Sequence, residues 1–361
     1  MKIRCVIIFL TLTGCTGMTD GGNGALLDFI PPRLVKFDQR QTQLVFTFDE
    51  ALTSARGERE GVPTSEENLL LEGNRLTITP EAQLPPGTLQ KILLEVQDHR
   101  GNRNTLIQRF YPTNPQLPQV RIMEVCINGT ATRPDMVELI ILSPGNLAGL
   151  EIRDTYPLES GQSFVFPSLD VKERERILVH FKPQGIPEEV QEIAGKNSSG
   201  GMGAVEGVRD FWVPGATGLK GTNGLILLSA SPEGEHMDCL LYSNRTSGSD
   251  EKYRGFGSRS FQETVDWVHT QGFWKIQGEK PTPEDCVFSG DSTSTRPLVR
   301  SENADTQGKE DWFTGAKPRF GVTNPALAYG NLSRGLYSSN ENPPPLLQDR
   351  LSLFLNKPAG F

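Results

Sequence analysis

Short apolar runs separated by turn-forming residues recur along most of this chain, and this pattern constrains its fold more than any other feature. Residues 43–50 alternate partly, which would place Leu44, Phe46 and Phe48 on one face of a strand. Glycine (37) and proline (26) are frequent and clean helical periodicity is rare, so long amphipathic helices are not expected. Short runs between turn residues favour strands, and the sequence therefore predicts an all-β fold.

The composition divides the chain into a short start, two domains and a tail. The length favours two or three domains, and a stretch with Asn and Pro between two strand-rich regions is typical of a linker. The predicted segments are a first β domain at 26–112, a linker at 113–118, a second domain at 119–325 and a partly ordered, Pro-rich tail at 326–361.

Residues 1–14 have the pattern of a secretory signal peptide. Lys2 and Arg4 make a short positive region, and residues 6–12 form an apolar run broken only by Thr11. This run is far too short for a membrane span, which needs roughly 20 apolar residues. The small and polar stretch at 15–25 suits a flexible tether to the first domain.

The end of this signal, Leu12-Thr13-Gly14-Cys15, resembles a lipobox. The resemblance implies that a diacylglyceryl group joins the Cys15 thiol and that the chain is cut just before it; an ordinary secretory peptide is the alternative. Two or three acyl chains would hold the protein firmly, since one chain alone binds weakly. The expected partner is therefore a membrane, reached through N-terminal lipid on the extracytoplasmic side. Thr16, in place of Asp, favours the outer membrane by analogy with enteric sorting, and leaves periplasmic or surface exposure open.

The first β domain contains the stretches LVFTFDEAL (44–52), LTITPEAQLPPGT (76–88) and LLEVQDHRGNRN (93–104). In type and order they resemble the bacterial Ig-like domains found near the N-termini of surface proteins. In that family such domains act as spacers or display modules. The loop at 98–102 is interpreted as a tight turn in which Asp and Asn bond backbone amides and Gly takes a positive φ, with a calcium loop as the alternative.

A second resemblance is carried, in order, by residues 120–127, 135–142, 146–154, 164–167, 176–181, 219–228, 231–242 and 294–324. At these positions the second domain resembles the lamin-tail domain, an Ig-like β-sandwich that also occurs in exported bacterial proteins. The chain departs from that family at Cys126 and Ile127, where small or polar residues are usual, and at Leu150, where tryptophan is common. The closing Pro-Thr-Pro-Gly is reduced to residues 318–321.

Together the two resemblances imply two Ig-like β-sandwiches in tandem, the second with long loop insertions at about 183–218 and 243–291. Long loops on a rigid sandwich often carry recognition, so these insertions are the first candidates for a binding surface. Trp267 and Trp274 are the candidate binding aromatics for an unidentified protein or glycan partner. Trp312 falls in the closing motif and is expected in the core.

Three cysteines, Cys126, Cys239 and Cys286, lie in the second domain. An odd number in an oxidising compartment allows one disulfide and one free thiol, or none. Cys126 and Cys239 lie on expected strands of one sandwich and are therefore predicted to pair, with Cys239 as a plain buried hydrophobe as the alternative. The spacings are too wide for a usual zinc site, so neither a metal nor a cofactor is expected.

No set of residues with the spacing of a known catalytic site stands out. The zinc-protease, nucleophile-elbow and phosphate-loop motifs are absent, and four histidines limit general base chemistry. His180 falls within an apolar run and is predicted to be a strand residue. Glu138 and Glu124 are interpreted as structural carboxylates bonded to backbone groups. The sequence therefore favours a protein that is not an enzyme.

The charge and the motifs together narrow the class of function. A net charge of −8 argues against sequence-independent binding to nucleic acid, which relies on Lys and Arg neutralising phosphates. The preferred interpretation is a lipid-anchored envelope or surface protein that acts as a binding, display or structural module. The alternatives are a carbohydrate- or ligand-binding lipoprotein and an accessory subunit of an extracytoplasmic hydrolase.

Overall fold

The computed structural model describes residues 29–40, 42–155, 161–301 and 305–322. The predicted signal peptide, tether and C-terminal tail lie outside these residues. Strands dominate the described part of the chain, which contains a single α-helix, so the predicted all-β class is confirmed. No helix in this part is long and apolar enough to span a membrane.

The chain divides into two compact units. The first contains the described residues up to Ala82 together with Lys91–Gln108, and the second contains Gln83–Gln90 and the described residues from Arg109 onward. The strands in and around the first unit are β1 (Leu34–Arg40), β2 (Gln43–Phe48), β3 (Leu52–Arg59), β4 (Val62–Pro63), β5 (Leu69–Glu72), β6 (Arg75–Ile78), β7 (Gln90–Asp98) and β8 (Arg103–Phe110).

These eight strands make two four-stranded sheets, in the orders β1-β2-β6-β5 and β4-β3-β7-β8. Strand β7 alternates strictly between buried and more exposed residues, as expected for a strand with one face on a core. Leu44, Phe46 and Phe48 of β2 are buried as predicted from their shared face. The loop after β7 is the predicted turn: Asp98 Oδ1 accepts the backbone N–H groups of Arg100 and Asn102, both at 2.8 Å.

The second unit is built on two larger sheets and a two-stranded ribbon. Its strands are β9 (Val120–Cys126), β10 (Met136–Ile141), β11 (Gly145–Asn146), β12 (Glu151–Arg153), β13 (Ser163–Val165), β14 (Asp170–Val171), β15 (Arg176–His180), β16 (Arg209–Trp212), β17 (Asn223–Ser229), β18 (His236–Ser243), β19 (Val287–Phe288), β20 (Leu298–Arg300) and β21 (Trp312–Thr314). Its helix α1 spans Arg259–Thr270, and it has short 3-10 turns at Ser247–Ser249, Pro283–Asp285 and Lys309–Asp311. A further 3-10 turn, Glu66–Asn68, belongs to the first unit.

The six-stranded sheet has the order β16-β15-β10-β9-β20-β21, and the five-stranded sheet has the order β13-β12-β17-β18-β19. Pairing is antiparallel except between β15 and β16 and between β18 and β19. Val137 and Leu139 from the first sheet and Ile152 and Leu228 from the second belong to one continuous apolar core. Each sheet therefore turns one face toward this shared core, and its other face needs a separate cover.

The cover of the six-stranded sheet comes from a segment that the sequence analysis treats as a loop insertion, 183–218. The part of this segment before β16 folds over the outward face, and β16 then joins the edge of the sheet. Trp212 Nε1 donates to Ser199 Oγ at 3.0 Å, and the backbone N–H of Asp210 donates to Glu192 Oε2 at 2.9 Å. The segment is therefore a packed layer with a strand of its own.

The second predicted insertion, 243–291, covers the outward face of the five-stranded sheet and contains α1. Ser258 caps this helix by accepting the backbone N–H of Phe261 at 3.4 Å. Val265 and Val268 are buried against the core, which gives the helix an apolar stripe. The cap and this stripe are visible in the sequence, but the all-β expectation overlooked them.

A close approach between two glycine backbones gives a stability test for the second unit. Gly149 has φ +88°, and a Cβ there would lie 2.7 Å from the backbone nitrogen of Gly87. Gly215 has φ +70° with open space around it, so Gly215→Ala should cost only about 1–2 kcal/mol of backbone strain. Gly149→Ala should cost about 1–3 kcal/mol more, because the backbones must separate.

The measurement is chemical denaturation followed by tryptophan fluorescence. All four tryptophans lie in the second unit, so the signal reports on that unit. Equal stability of the two variants would contradict the close approach.

Candidate functional site

The residues of the predicted lipidation signal, Leu12, Thr13, Gly14 and Cys15, lie outside the described residues. Their roles stay predictions from sequence. The remaining candidate residues all lie in the second unit, where the structure gives each of them a definite environment.

The predicted disulfide is not formed, since Cys126, Cys239 and Cys286 are all buried free thiols. Cys126 lies two residues after Glu124 on β9 and shares its outward face, on which Glu124 accepts the backbone N–H of Arg319. Asp238 points inward and accepts the backbone N–H of Ile122 on the opposite sheet at 2.8 Å, so Cys239 faces outward on the other sheet. The two thiols thus lie on opposite outer faces of the sandwich. Burial raises the pKa of each thiol above its ordinary value.

The candidate binding aromatics have different environments. Trp274 is 3% exposed and its Nε1 donates to the carbonyl of Asp285 at 2.8 Å, so the structure places this predicted binding aromatic in the core. The Trp274 indole therefore stabilises the Pro283–Asp285 turn against the core. Trp312 is buried as predicted, with the Arg300 guanidinium 5.6 Å from its ring centre. Trp267 is half-buried and lies against His236.

Trp267 belongs to a group of side chains that meet at the outward face of the five-stranded sheet, where α1 ends. We call this group the His236 site. The strand register places Glu151 of β12 beside Ser229 of β17, and Ser229 beside His236 of β18. Side chains opposite each other on neighbouring strands share a face, so these three form a row. The site consists of Glu151, Arg153, Ser229, His236, Trp267 and Phe273.

His236 lies at the centre of this site. Its Nδ1 is 2.9 Å from the hydroxyl of Ser229. The ring centres of Trp267 and Phe273 lie 5.0 and 5.3 Å from the imidazole, with interplanar angles of 81° and 86°. Its Nε2 has no hydrogen-bond partner among the described residues and is not among their completely buried atoms, so it keeps some contact with solvent. The imidazole is therefore oriented on three sides and presents one polar atom outward.

The charges next to His236 are already paired. Arg153 Nε donates to Glu151 Oε2 at 3.1 Å, and its Nη2 bonds the other carboxylate oxygen, which makes a two-pronged pair. Burial, with the nearby Arg153 charge, lowers the pKa of His236 from its ordinary 6.5. The imidazole is therefore neutral at pH 7 and acts as a hydrogen-bonding group without charge.

A second cluster of titratable groups lies on the outward face of the six-stranded sheet. Glu124 and Glu138 are opposite each other on β9 and β10, and both are fully buried. Glu138 Oε2 accepts from Arg176 at 2.5 Å and its Oε1 accepts the backbone N–H of Gly321 at 2.6 Å. Glu124 Oε1 accepts the backbone N–H of Arg319 at 2.9 Å. These contacts hold the closing segment on the sheet and confirm the predicted structural role of both carboxylates.

His180 is a strand residue, as predicted, and lies near the same face. Its Nε2 is 2.7 Å from Asp210 Oδ1, and its ring stacks on Trp212 with 3.8 Å between ring centres. The imidazole is fully buried, so it is part of the packing between β15 and β16. Among the described residues, no group of three or more His, Cys, Asp or Glu side chains is placed to hold a metal ion.

Of these residues, Trp267 is predicted from the sequence as a binding aromatic, whereas Ser229 and His236 are not among the predicted site residues. A signal was present: Ser229 ends one apolar run and His236 begins the next. A hairpin between those runs would bring the hydroxyl and the imidazole to neighbouring positions. Contact with Trp267 and Phe273 depends on where α1 docks, which no local pattern reveals.

The comparisons with known proteins identify the family of this chain. The family model described as the TP_1001 protein second domain matches residues 118–314, more than half of the chain, and the protein belongs to that family. A Treponema pallidum (strain Nichols) protein described as uncharacterized is 24% identical over 296 residues, which are 80% of this chain and 74% of that protein.

Two solved structures also align with this chain at low similarity. A DUF4876 family protein from Bacteroides thetaiotaomicron VPI-5482 aligns over 77% of this chain and 95% of its own, with 11% identity and a TM-score of 0.32. The dimeric latent PorU from Porphyromonas gingivalis aligns over 60% of this chain and 20% of its own, with 11% identity and a TM-score of 0.20.

The buried Glu138 should make the stability of the second unit depend on pH. Burial, opposed by Arg176, raises the pKa of Glu138 from 4.5 to about 7. A raised folded-state pKa contributes stability that is present below pH 4.5 and is lost as the pH rises through about 7. That loss should be on the order of 3 kcal/mol.

Glu138→Gln cannot titrate, so its unfolding free energy should lack this part of the decline between pH 5 and 7.5. Urea denaturation at both pH values measures the difference, with the exposed Glu279→Gln as a control that should follow the wild type. Identical pH profiles for Glu138→Gln and the wild type would contradict the assignment.

His236 should titrate below the ordinary histidine value of 6.5 in the folded protein. Replacing Arg153 with Gln removes one of the two causes, so the pKa should move upward. A pH titration of the imidazole resonances by NMR measures the pKa of His236 in the wild type and in Arg153→Gln, with His269 on α1 as an internal comparison. A wild-type pKa above 6.5 would contradict this assignment, because burial and the Arg153 charge both lower the pKa of His236.

Proposed function

We propose that this protein is a lipid-anchored envelope protein that acts as a non-enzymatic binding module. The anchor is Cys15, and the binding surface is the His236 site in the second unit. The observation that carries the binding role is the outward Nε2 of His236, an oriented hydrogen-bonding atom without a partner among the described residues.

The anchor is supported by the sequence Leu12-Thr13-Gly14-Cys15 after a short apolar run. Lipid on a cysteine attaches a folded domain to a membrane surface, and two or more chains make the attachment stable. A glycine-rich tether after Cys15 would let the folded units move away from the lipid.

The binding role is supported by how the other titratable groups of the second unit are used. Glu138 and Glu124 hold the closing segment, and Asp210 is paired with His180. Each of these groups has a packing role in the described residues, whereas His236 lies between the core and solvent. A rigid sandwich that presents one such group fits recognition of a ligand.

Replacing Cys15 with Ser tests the anchor. We expect Cys15→Ser to lose incorporation of radiolabelled palmitate and to leave the membrane fraction, while its unfolding transition stays that of the wild type. Cys5→Ser is the matched control, because Cys5 also lies in the N-terminal segment but not at the cleavage position. Cys5→Ser should be lipidated normally. A labelled, membrane-bound Cys15→Ser protein would overturn the anchor.

A further inference from the structure

The side chains of the His236 site combine apolar rings with hydrogen-bonding groups in a small area. Trp267 and Phe273 are half-buried, with part of each ring in contact with the core and part at the surface. Ser229 is 2% exposed, and its hydroxyl lies 2.9 Å from His236 Nδ1. The site thus combines partly exposed aromatic rings with the polar imidazole.

We propose that the His236 site binds a neutral saccharide, with Trp267 and Phe273 against its C–H faces and His236 Nε2 bonded to one of its hydroxyls. This inference deepens the proposed binding role and rests on it. It names the chemical class of the ligand, which the proposed function leaves open.

The charges of the site disfavour an ionic ligand. Arg153 is the cation within the site, and its Nε and Nη2 both donate to the Glu151 carboxylate. The two side chains are 7% and 3% exposed, so a ligand anion would have to compete with a buried carboxylate for this guanidinium. Removing one partner from such a pair leaves a buried charge uncompensated, which is strongly unfavourable.

The charge of the whole chain also disfavours an anionic ligand. The net charge is −8, and an acidic chain repels anions at long range.

The polar atom at the centre excludes a purely apolar ligand. Covering His236 Nε2 with hydrocarbon would bury an unpaired polar atom, which costs about 1–3 kcal/mol. The preferred ligand must therefore be uncharged, must bring a hydrogen-bonding group to Nε2, and must offer apolar surface to the two rings. A saccharide has hydroxyls at its rim and C–H groups on its faces, and it meets all three requirements.

The contact with Ser229 favours a hydroxyl in particular. If the serine hydroxyl donates to Nδ1, then Nε2 carries the proton and donates outward. If Nδ1 donates to Ser229 instead, then Nε2 accepts. A sugar hydroxyl can both donate and accept, so it fits either tautomer.

The test is a titration of the full-length protein in a zwitterionic detergent without a sugar headgroup. The probes are N-acetylglucosamine, chitobiose, maltose and cellobiose, followed by tryptophan fluorescence and by saturation-transfer NMR. We expect saturable binding of at least one of them. Trp267→Ala and His236→Ala should each weaken that binding by about tenfold or more.

Matched variants separate the site from general effects. Phe288 is a half-exposed aromatic of the same unit outside the site, and His269 lies elsewhere on α1. Phe288→Ala and His269→Ala should bind as the wild type does. The unfolding transition of each variant shows whether a loss of binding comes from a loss of fold.

Three results would overturn the proposal. The first is no saturable binding of any probe by folded wild-type protein. The second is binding that Trp267→Ala and His236→Ala leave unchanged. The third is tighter binding of glucuronate or inorganic phosphate than of the neutral sugars. If the first result were accompanied by binding of an uncharged peptide at this site, the saccharide proposal would be wrong, but the proposed binding role would still be supported. Loss of the Cys15 anchor is measured separately.

Discussion

The second unit depends on burying both faces of its two large sheets. One face of each sheet meets the shared core, and the strands also carry largely buried residues on the other face, as in β15 and β17, where every residue is buried. Strands buried on both sides require a layer outside each sheet. The two long segments that interrupt the strand pattern, 183–218 and 243–291, supply these layers, so they are structural parts of the domain.

Such an arrangement places many polar groups away from water, and each needs a partner. Arg300 of β20 is 1% exposed and donates to Asp238 of β18 at 2.9 and 3.0 Å. It also lies 3.4 Å from Asp311. These contacts join the five-stranded sheet to the end of the six-stranded one. Glu138 and Glu124 play the same part for the closing segment. The charges therefore connect layers that apolar packing alone would leave free to slide.

The His236 site lies where one covering layer ends. The helix α1 packs Val265 and Val268 against the core. Trp267 and Phe273, at and after its C-terminal end, contact His236 at the start of β18. At this point the outward face of the sheet changes from covered to solvent-exposed. The His236 imidazole is therefore held by its neighbours while its Nε2 keeps some contact with solvent. The same packing that stabilises the sheet thereby orients the atom that we propose to contact a ligand.

The sequence by itself determined the all-β class, the burial of Leu44, Phe46 and Phe48, the turn at Asp98 and the structural roles of Glu124 and Glu138. These follow from local alternation, turn chemistry and short motifs, which act over a few residues. Only the tertiary structure decided that Cys126 and Cys239 face opposite ways, that Trp274 is buried and that Ser229, His236 and Trp267 meet. Those outcomes depend on which distant segment covers each face of a strand. A strand that is buried on both faces is apolar along its whole length, so its sequence pattern does not show which segment covers which face.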